Sequence, residues 1–370
     1  MINYKNLGKT IWIFAILIMG IGLITLYSAS YNNVRASRDI FFDQMWCAVL
    51  ALTVMYCLSR LDYRKFFDIA YVLYVVNVVL LALTFLVGRA ALGATRWMTV
   101  GGLSFQPSEL MKLTLILMLG RYLSQRRPRL AFTLSSTFAA LVMDLILPFV
   151  LVGVPMILIF KQPDLGTAIL MMGIFVIMLF VSGIDAKVFG WFIGLCLIAV
   201  PFGWHILRPY QRDRLLVFLN PNIDPMGAGY TIIQSKIAIG SGGFAGKGWL
   251  SGTQNQLNFL PERHTDFIFS VIGEEWGLLG SLFVVFCYGM LIYCGFKIAD
   301  NVKEKFGQYV TLGIVSILAL QVVINIGMVM GMFPVVGITL PMISYGRTSF
   351  MVFAVMLGFL LNLSKKRSVF

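Results

Sequence analysis

Apolar runs about twenty residues long, separated by short polar breaks, dominate the chain. At 1.5 Å per residue such a run matches the roughly 30 Å hydrocarbon layer of a bilayer. The pattern therefore predicts membrane-spanning helices. The expected spans cover residues 10–29, 42–59, 67–87, 107–124, 138–160, 164–182 and 187–207, then 266–296, 308–332 and 347–363. A long mixed segment, 208–264, separates the seventh span from the eighth. No small-residue cleavage site closes the first run at signal-peptide length, so it reads as an uncleaved span. Irregular polar sequence, rich in Gly, Pro and Ser, gathers in 88–109, 161–167, 208–266 and 333–349, all on the same side of the expected bundle. Non-helical backbone at membrane depth survives only where protein or water satisfies it, so these four segments predict a site at that face. One weak echo links two of them: Gln106-Pro107-Ser-Glu109 and Gln162-Pro163-Asp164 both open a span running in the same direction.

Composition agrees with the pattern. The chain is 59% hydrophobic and 12% charged, where a soluble domain is roughly 25% charged. The class expected is an all-α integral membrane protein with about ten helices. The net charge of +13 would raise nucleic acid for a soluble protein; in a membrane protein it first reports orientation. With the N-terminus inside, inside segments hold 16 Lys and Arg. Outside segments hold 12, six of them in the long loop that the positive-inside rule discounts. Both termini are then cytoplasmic, and no nucleic-acid partner is needed to explain the charge. The five cysteines lie in apolar stretches without a CxxC pair, and there are two histidines, His205 and His264. A zinc site built on them is not expected.

Candidate chemistry follows from polar residues at the edges of spans. In Leu260-Pro-Glu-Arg-His-Thr-Asp266 the polar run stops where an apolar helix begins. Asp266 there is either a helix cap with Thr265 or a half-desolvated general base, its pKa raised by burial and opposed by the helix N-terminus. Glu109 and Lys112 share a helix face at i, i+3. They are either a self-neutralising pair or a held cation for an anionic headgroup. Arg96-Trp97 reads as an interfacial aromatic pair or as part of a site. Asp164 reads as an acid on a helix N-terminus. Asp144, Glu274 and Glu275 are further charges within spans. Gly240-Ser-Gly-Gly-Phe-Ala-Gly-Lys247-Gly248 fails the P-loop pattern at both ends, although a glycine-rich backbone with one lysine can cradle a diphosphate. Arg208, Arg212, Arg214, Lys236 and Arg263 add positive charge to the same segment.

At these residues the sequence resembles the SEDS family (shape, elongation, division and sporulation), and its rod-elongation members in particular. The resemblance is carried by Gly93-Ala-Thr-Arg-Trp97, Phe105-Gln-Pro-Ser-Glu109-Leu-Met-Lys112, Gln162-Pro-Asp-Leu-Gly-Thr167 and the stretch from Asp224-Pro-Met-Gly to Asp266-Phe-Ile-Phe269. It continues through Asn325-Ile-Gly-Met328, Pro334-Val-Val-Gly337 and Ser344-Tyr-Gly346. One departure stands out: the family usually continues with glycine and serine, whereas here Gly346 is followed by Arg347-Thr348-Ser349.

The resemblance implies a GT-C-like fold in one membrane domain over 1–370, with a large extracytoplasmic loop, 208–265, between spans 7 and 8. It also implies an inverting glycosyltransferase that polymerises lipid II into peptidoglycan strands during cell elongation and releases undecaprenyl diphosphate. Asp266 aligns with the family's catalytic Asp. Arg96, Trp97, Glu109, Lys112, Lys247, Arg212 and Ser344 are the substrate-binding residues expected. A divalent cation, Mg or Mn, could share charge stabilisation, though no ligand cluster in the sequence demands one. The partners implied are a class B penicillin-binding protein, other elongation-complex proteins and membrane lipids. Two readings compete: a lipid II flippase, which needs essential charges along a path to the inner face such as Asp144 or Glu274, and a non-catalytic scaffold of the wall machinery.

Overall fold

The computed structural model describes residues 6–31, 34–91, 94–100, 103–125, 146–183, 209–227 and 229–365, with a few isolated positions between 189 and 207. Most of span 7, the start of span 5 with Asp144, Gly93, Arg208, the basic stretch Arg126-Arg-Pro-Arg129 and Lys366-Arg367 lie outside the described residues. Among the described residues there are twelve α-helices and three short strands. The chain opens with α1 (Leu7–Ser30), α2 (Val34–Leu58) and α3 (Arg64–Val87). The strands β1 (Arg89–Ala91), β2 (Ala94–Val100) and β3 (Leu103–Phe105) follow, then α4 (Pro107–Gln125), α5 (Leu147–Lys161) and α6 (Leu165–Val181). The segment before the eighth span folds as α7 (Pro209–Leu219), a 3-10 turn (Pro221–Ile223), α8 (Tyr230–Gly242) and α9 (Thr253–Gln256). The chain ends with α10 (Ile268–Asn301), α11 (Lys305–Val329) and α12 (Arg347–Lys365).

Six of these helices are long and apolar enough to cross a bilayer, namely α1, α2 from Asp39, α3, α10, α11 and α12. The α4 helix has 19 residues and carries Glu109, Lys112 and Arg121. The shorter apolar helices α5 and α6 coincide with expected spans 5 and 6. Bilayer exposure leaves its mark on α3. Val72, Val75, Val76, Val79, Leu83 and Leu86 are exposed, while Ala70, Tyr74, Asn77, Leu81 and Thr84 are buried. Both faces are largely apolar because the solvent on the outer one is hydrocarbon. The α11 and α12 helices are the most enclosed of the six. The former packs on α10, α4 and α6, and the latter on α2, α4 and α1. At one end of the bundle Arg121 lies over the rings of Phe67 and Tyr71 and donates to the carbonyls of Phe67 and Asp68. Arg64 pairs with Glu304, and Lys365 bonds Ser59, at the same end.

Two segments expected to be irregular are ordered. Residues 89–91, 94–100 and 103–105 form an antiparallel sheet in the order β1-β2-β3, with Arg89 opposite Trp97 and Met98 opposite Phe105. The glycine-rich segment after α8 mends a break in α10. Gly277 has φ 65° and ψ −157°, which interrupts the helix and frees backbone groups on both sides. Lys247 and Gly248 donate their amides to the Glu274 and Glu275 carbonyls, each at 3.0 Å. Leu278 and Leu279 donate to the carbonyls of Gly243 and Phe244 at 3.0 and 3.2 Å. Buried backbone groups need partners, and this loop supplies them from outside the helix. A Cβ on Gly277 would sit 2.4 Å from the Gly246 nitrogen, in a backbone region that side chains rarely adopt. Gly277→Ala should therefore destabilise the protein by at least about 2 kcal/mol, read as a lower thermal midpoint in detergent. An unchanged midpoint would mean that the loop yields easily.

Candidate active site

The opposite end of the bundle holds a cavity of about 1100 Å³. Its walls come from β2 and β3, the first turns of α4 and α6, α7, the turn before α10, the segment 336–339 and the start of α12. Helix beginnings thus converge on it, which explains why the polar residues that open spans collect there. The echo between Gln106 and Gln162 has a spatial counterpart. The Gln106 amide and the Ser108 hydroxyl both donate to Asp164 Oδ2, at 3.1 and 3.3 Å. Asp164 also caps α6 through the Thr167 amide at 3.1 Å, so its acid lies on a helix N-terminus as expected. Arg96 on β2 donates to the carbonyls of Gln162 and Pro163 and ties the sheet to the same corner.

Asp266 lies in the turn just before α10 and lines the cavity. The cap position is Phe267, with no side-chain capping bond, so the alternative of a capping Asp266 is not what the fold contains. Burial is the largest influence on its carboxyl and pushes the pKa up to about 6. The Glu262 charge raises it further, Arg214 and a hydrogen bond from Thr265 oppose, and Asp164 adds a smaller upward push. Gly337 lies beside the carboxyl, where a Cβ would be in ordinary contact with Asp266 Oδ2 at 3.4 Å, and its φ of +73° favours glycine. Nearby His264 is held below the ordinary imidazole range by burial first, with Arg263 adding to the shift.

Deeper in the cavity, the ion pair anticipated on α4 is present, with Lys112 Nζ 2.8 Å from Glu109 Oε2. Lys112 is 0% exposed as a residue, donates to Gln321 Oε1 at 3.1 Å and lies 5.7 Å from the Phe353 ring centroid. Gln321 in turn donates to the Thr339 carbonyl at 2.9 Å. The two readings of the pair merge: the carboxylate makes a buried cation tolerable, and the cation still lines the cavity. Arg96, Trp97, Glu109, Lys112 and Asp266 all face this one space.

Three expected substrate residues do not line it. Lys247 bonds Glu274 Oε1 and Thr253 at 2.8 Å each. Its loop mends the α10 break, so its amides are occupied and the diphosphate cradle is replaced by a structural plug. Arg212 donates to the His205 carbonyl, and it is Arg214, two residues on, that reaches the cavity and the Val335 carbonyl. Ser344 is buried, accepts the Leu340 amide and donates to the Thr265 carbonyl at 2.5 Å. It therefore touches the Asp266 turn from behind. Gln321 was not singled out in the sequence, and its only signal there was a polar residue within an apolar span. Arg347, the departure from the family pattern, lines the cavity and pairs with Asp43 of α2. Among the described residues no group of three or more His, Cys, Asp or Glu side chains comes together to hold a metal ion.

Comparison with known proteins bears on the fold and the family. The family model of FtsW, RodA and SpoVE, described as "Cell cycle protein", matches residues 8–369. The chain belongs to this family. Among FtsW/RodA/SpoVE members, the peptidoglycan glycosyltransferase MrdB of Escherichia coli K12 is 38% identical over 367 residues, covering 98% of this chain and 95% of that protein. A chain from a solved peptidoglycan synthase complex, described for its coordination of polymerization and crosslinking, superposes with a TM-score of 0.80 at 34% identity, covering 97% of this chain and 98% of that one. The rod shape determining protein RodA of Thermus thermophilus, solved with an Asp→Ala substitution, superposes with a TM-score of 0.71 at 29% identity, covering 97% of each chain. The SEDS resemblance, the multi-pass helical membrane fold and the family assignment therefore coincide.

Proposed function

We propose that this chain is a peptidoglycan glycosyltransferase that polymerises lipid II, with Asp266 as general base. The observation that carries the reading is the placement of Asp266, whose carboxyl pKa is pushed by burial up to about 6, on the same cavity as the fully buried Lys112. A base needs a pKa near the working pH, and a leaving diphosphate needs fixed positive charge. Asp266 takes the proton of the acceptor GlcNAc 4-hydroxyl as that oxygen attacks C1 of the donor MurNAc. The bond to undecaprenyl diphosphate breaks on the opposite face, giving a β-1,4 link with inversion. Lys112, held by Glu109 and Gln321, stabilises the charge that develops on the diphosphate, and Arg96 supplies further positive charge. The described cavity side chains do not build a three-ligand metal cage. A Mg or Mn ion would thus come in with the substrate phosphates, and no step is assigned to it.

The charge asymmetry of the loops supports cytoplasmic termini and a cavity on the outer face of the cytoplasmic membrane. Similarity to a chain of a synthase complex supports a class B penicillin-binding protein as partner, alongside other elongation-complex proteins. The flippase alternative has weaker support. Glu274 is 0% exposed and accepts hydrogen bonds from Lys247, Thr253 and the amides of Gln254 and Asn255. It is bound up in the loop that mends α10.

The test is reconstitution of the purified protein with its transpeptidase partner and labelled lipid II. Glycan polymer should form, and the rate should fall as the pH drops through about 6, because protonation removes the base. Movement of lipid II between leaflets without polymer would favour transport, and neither activity would favour a scaffold.

A further inference from the structure

The Asp266 turn has an unusual backbone environment. Carbonyls that precede a helix cannot be reached by its own amides, so buried ones must find partners elsewhere. Three consecutive carbonyls do so, one on a side chain of α11 and two on the segment between α11 and α12. The His264 carbonyl accepts the Tyr345 amide at 2.8 Å. The Thr265 carbonyl accepts the Ser344 hydroxyl at 2.5 Å, and the Asp266 carbonyl accepts Asn325 Nδ2 at 2.9 Å. Asn325, on α11, is 0% exposed and does not line the cavity. The same Nδ2 donates to the Ile338 carbonyl at 2.6 Å, next to the Gly337 that lies beside the Asp266 carboxylate. One amide group thereby fixes the base's backbone and the wall against which its side chain rests.

We propose that Asn325 and Ser344 are positioning residues for Asp266: they clamp its turn against the 337–345 segment and hold the carboxylate at the cavity wall. Neither touches the cavity, so neither binds substrate; both act through Asp266. The inference rests on Asp266 as the general base. Misplacing a reacting group by about 1 Å can cost on the order of 10²-fold in rate. Loosening the clamp also lets the carboxylate find water, which lowers its pKa towards the ordinary range. The charged and titratable groups around it are Glu262 and His264 on its own turn, Arg214 on α7, Asp164 before α6, Glu109 and Lys112 on α4, Arg96 on β2, Tyr345 just before α12 and Arg347 at its start. None of these is altered by the substitutions below.

The experiment measures lipid II polymerisation by Asn325→Ala, Ser344→Ala and Asn325→Gln in the full chain with its partner, per folded molecule and across pH. Asn325→Ala should lower kcat by about 10- to 100-fold with KM for lipid II within about twofold of wild type. Its acidic limb should move below pH 6, and Asn325→Gln should recover part of the rate. Ser344→Ala leaves the Asn325 bonds in place, so it should shift the limb in the same direction even if Asn325→Ala does not fold. Variants that lose only yield or thermal midpoint, with kcat and acidic limb unchanged, would overturn the clamp. Asp266→Asn is run beside them. Full activity in that variant removes the base itself, whereas an inactive Asp266→Asn with unshifted clamp variants sinks the clamp alone.

Discussion

Asp266→Asn should lower lipid II polymerisation on the order of 10³-fold while leaving the protein as stable as wild type, or more so. The rate falls because an amide cannot accept the acceptor hydroxyl's proton. The stability follows from the sign of the pKa shift. The folded-state pKa is raised to about 6, mainly by burial, so the charged form is disfavoured in the native state. Native stability associated with this group is therefore highest below the unfolded carboxylate pKa of roughly 4 and declines as pH rises through 6. A neutral isostere removes that penalty at neutral pH. The measurement is polymer length and rate alongside a thermal midpoint at pH 7.5 and pH 5. A variant that polymerises undiminished would exclude Asp266 as the base. One that is inactive but markedly less stable would instead assign Asp266 a structural role.

Lys112→Met should be the more damaging substitution to the fold. It leaves the Glu109 carboxylate, 8% exposed as a residue, without the cation 2.8 Å away. Removing one partner of a buried pair costs about 3–5 kcal/mol, enough to lower folded yield sharply. The double variant Glu109→Gln with Lys112→Met neutralises both charges and should restore much of the yield. Its polymerisation should remain at least about 10²-fold below wild type, because the fixed cation facing the diphosphate is gone. Folded yield by size exclusion and polymer rate per folded molecule separate the two effects. A double variant with wild-type rates would reduce the pair to a structural contact.

Much of the fold was legible because its signal is local. Hydropathy along twenty residues decides whether a segment suits hydrocarbon, and nine of the ten expected spans coincide with described helices at shifted ends; span 7 falls mainly outside the described residues. The expected eighth span begins at 266, but α10 starts at Ile268, and those two residues move Asp266 from the helix into a turn. Asp266, Glu109, Lys112, Arg96 and Trp97 were visible as polar or interfacial residues at span edges, where each charge needs a reason. The segments read as irregular were less legible. Their polarity and glycines are equally compatible with a ligand loop, a sheet or a plug for a broken helix.

Lys247 and Lys112 show where local reading ends. Both are lysines near glycine or acid in segments on one side of the bundle. Lys112 faces the cavity, and Lys247 bonds Glu274 across 27 residues of sequence. Arg212 and Arg214 differ only by their rotation about one helix, yet only Arg214 lines the cavity. Asn325 lies 59 residues from Asp266 along the chain and 2.9 Å from its carbonyl. The sequence by itself determined the membrane class, the order of helices and the inventory of charges admitted to their ends, since these depend on the transfer of each segment out of water. The tertiary structure alone decided which charges share a cavity, which glycines mend Gly277's break and which amide holds the base. Those outcomes depend on satisfying buried polar groups between segments far apart in the chain, and no local pattern encodes that pairing.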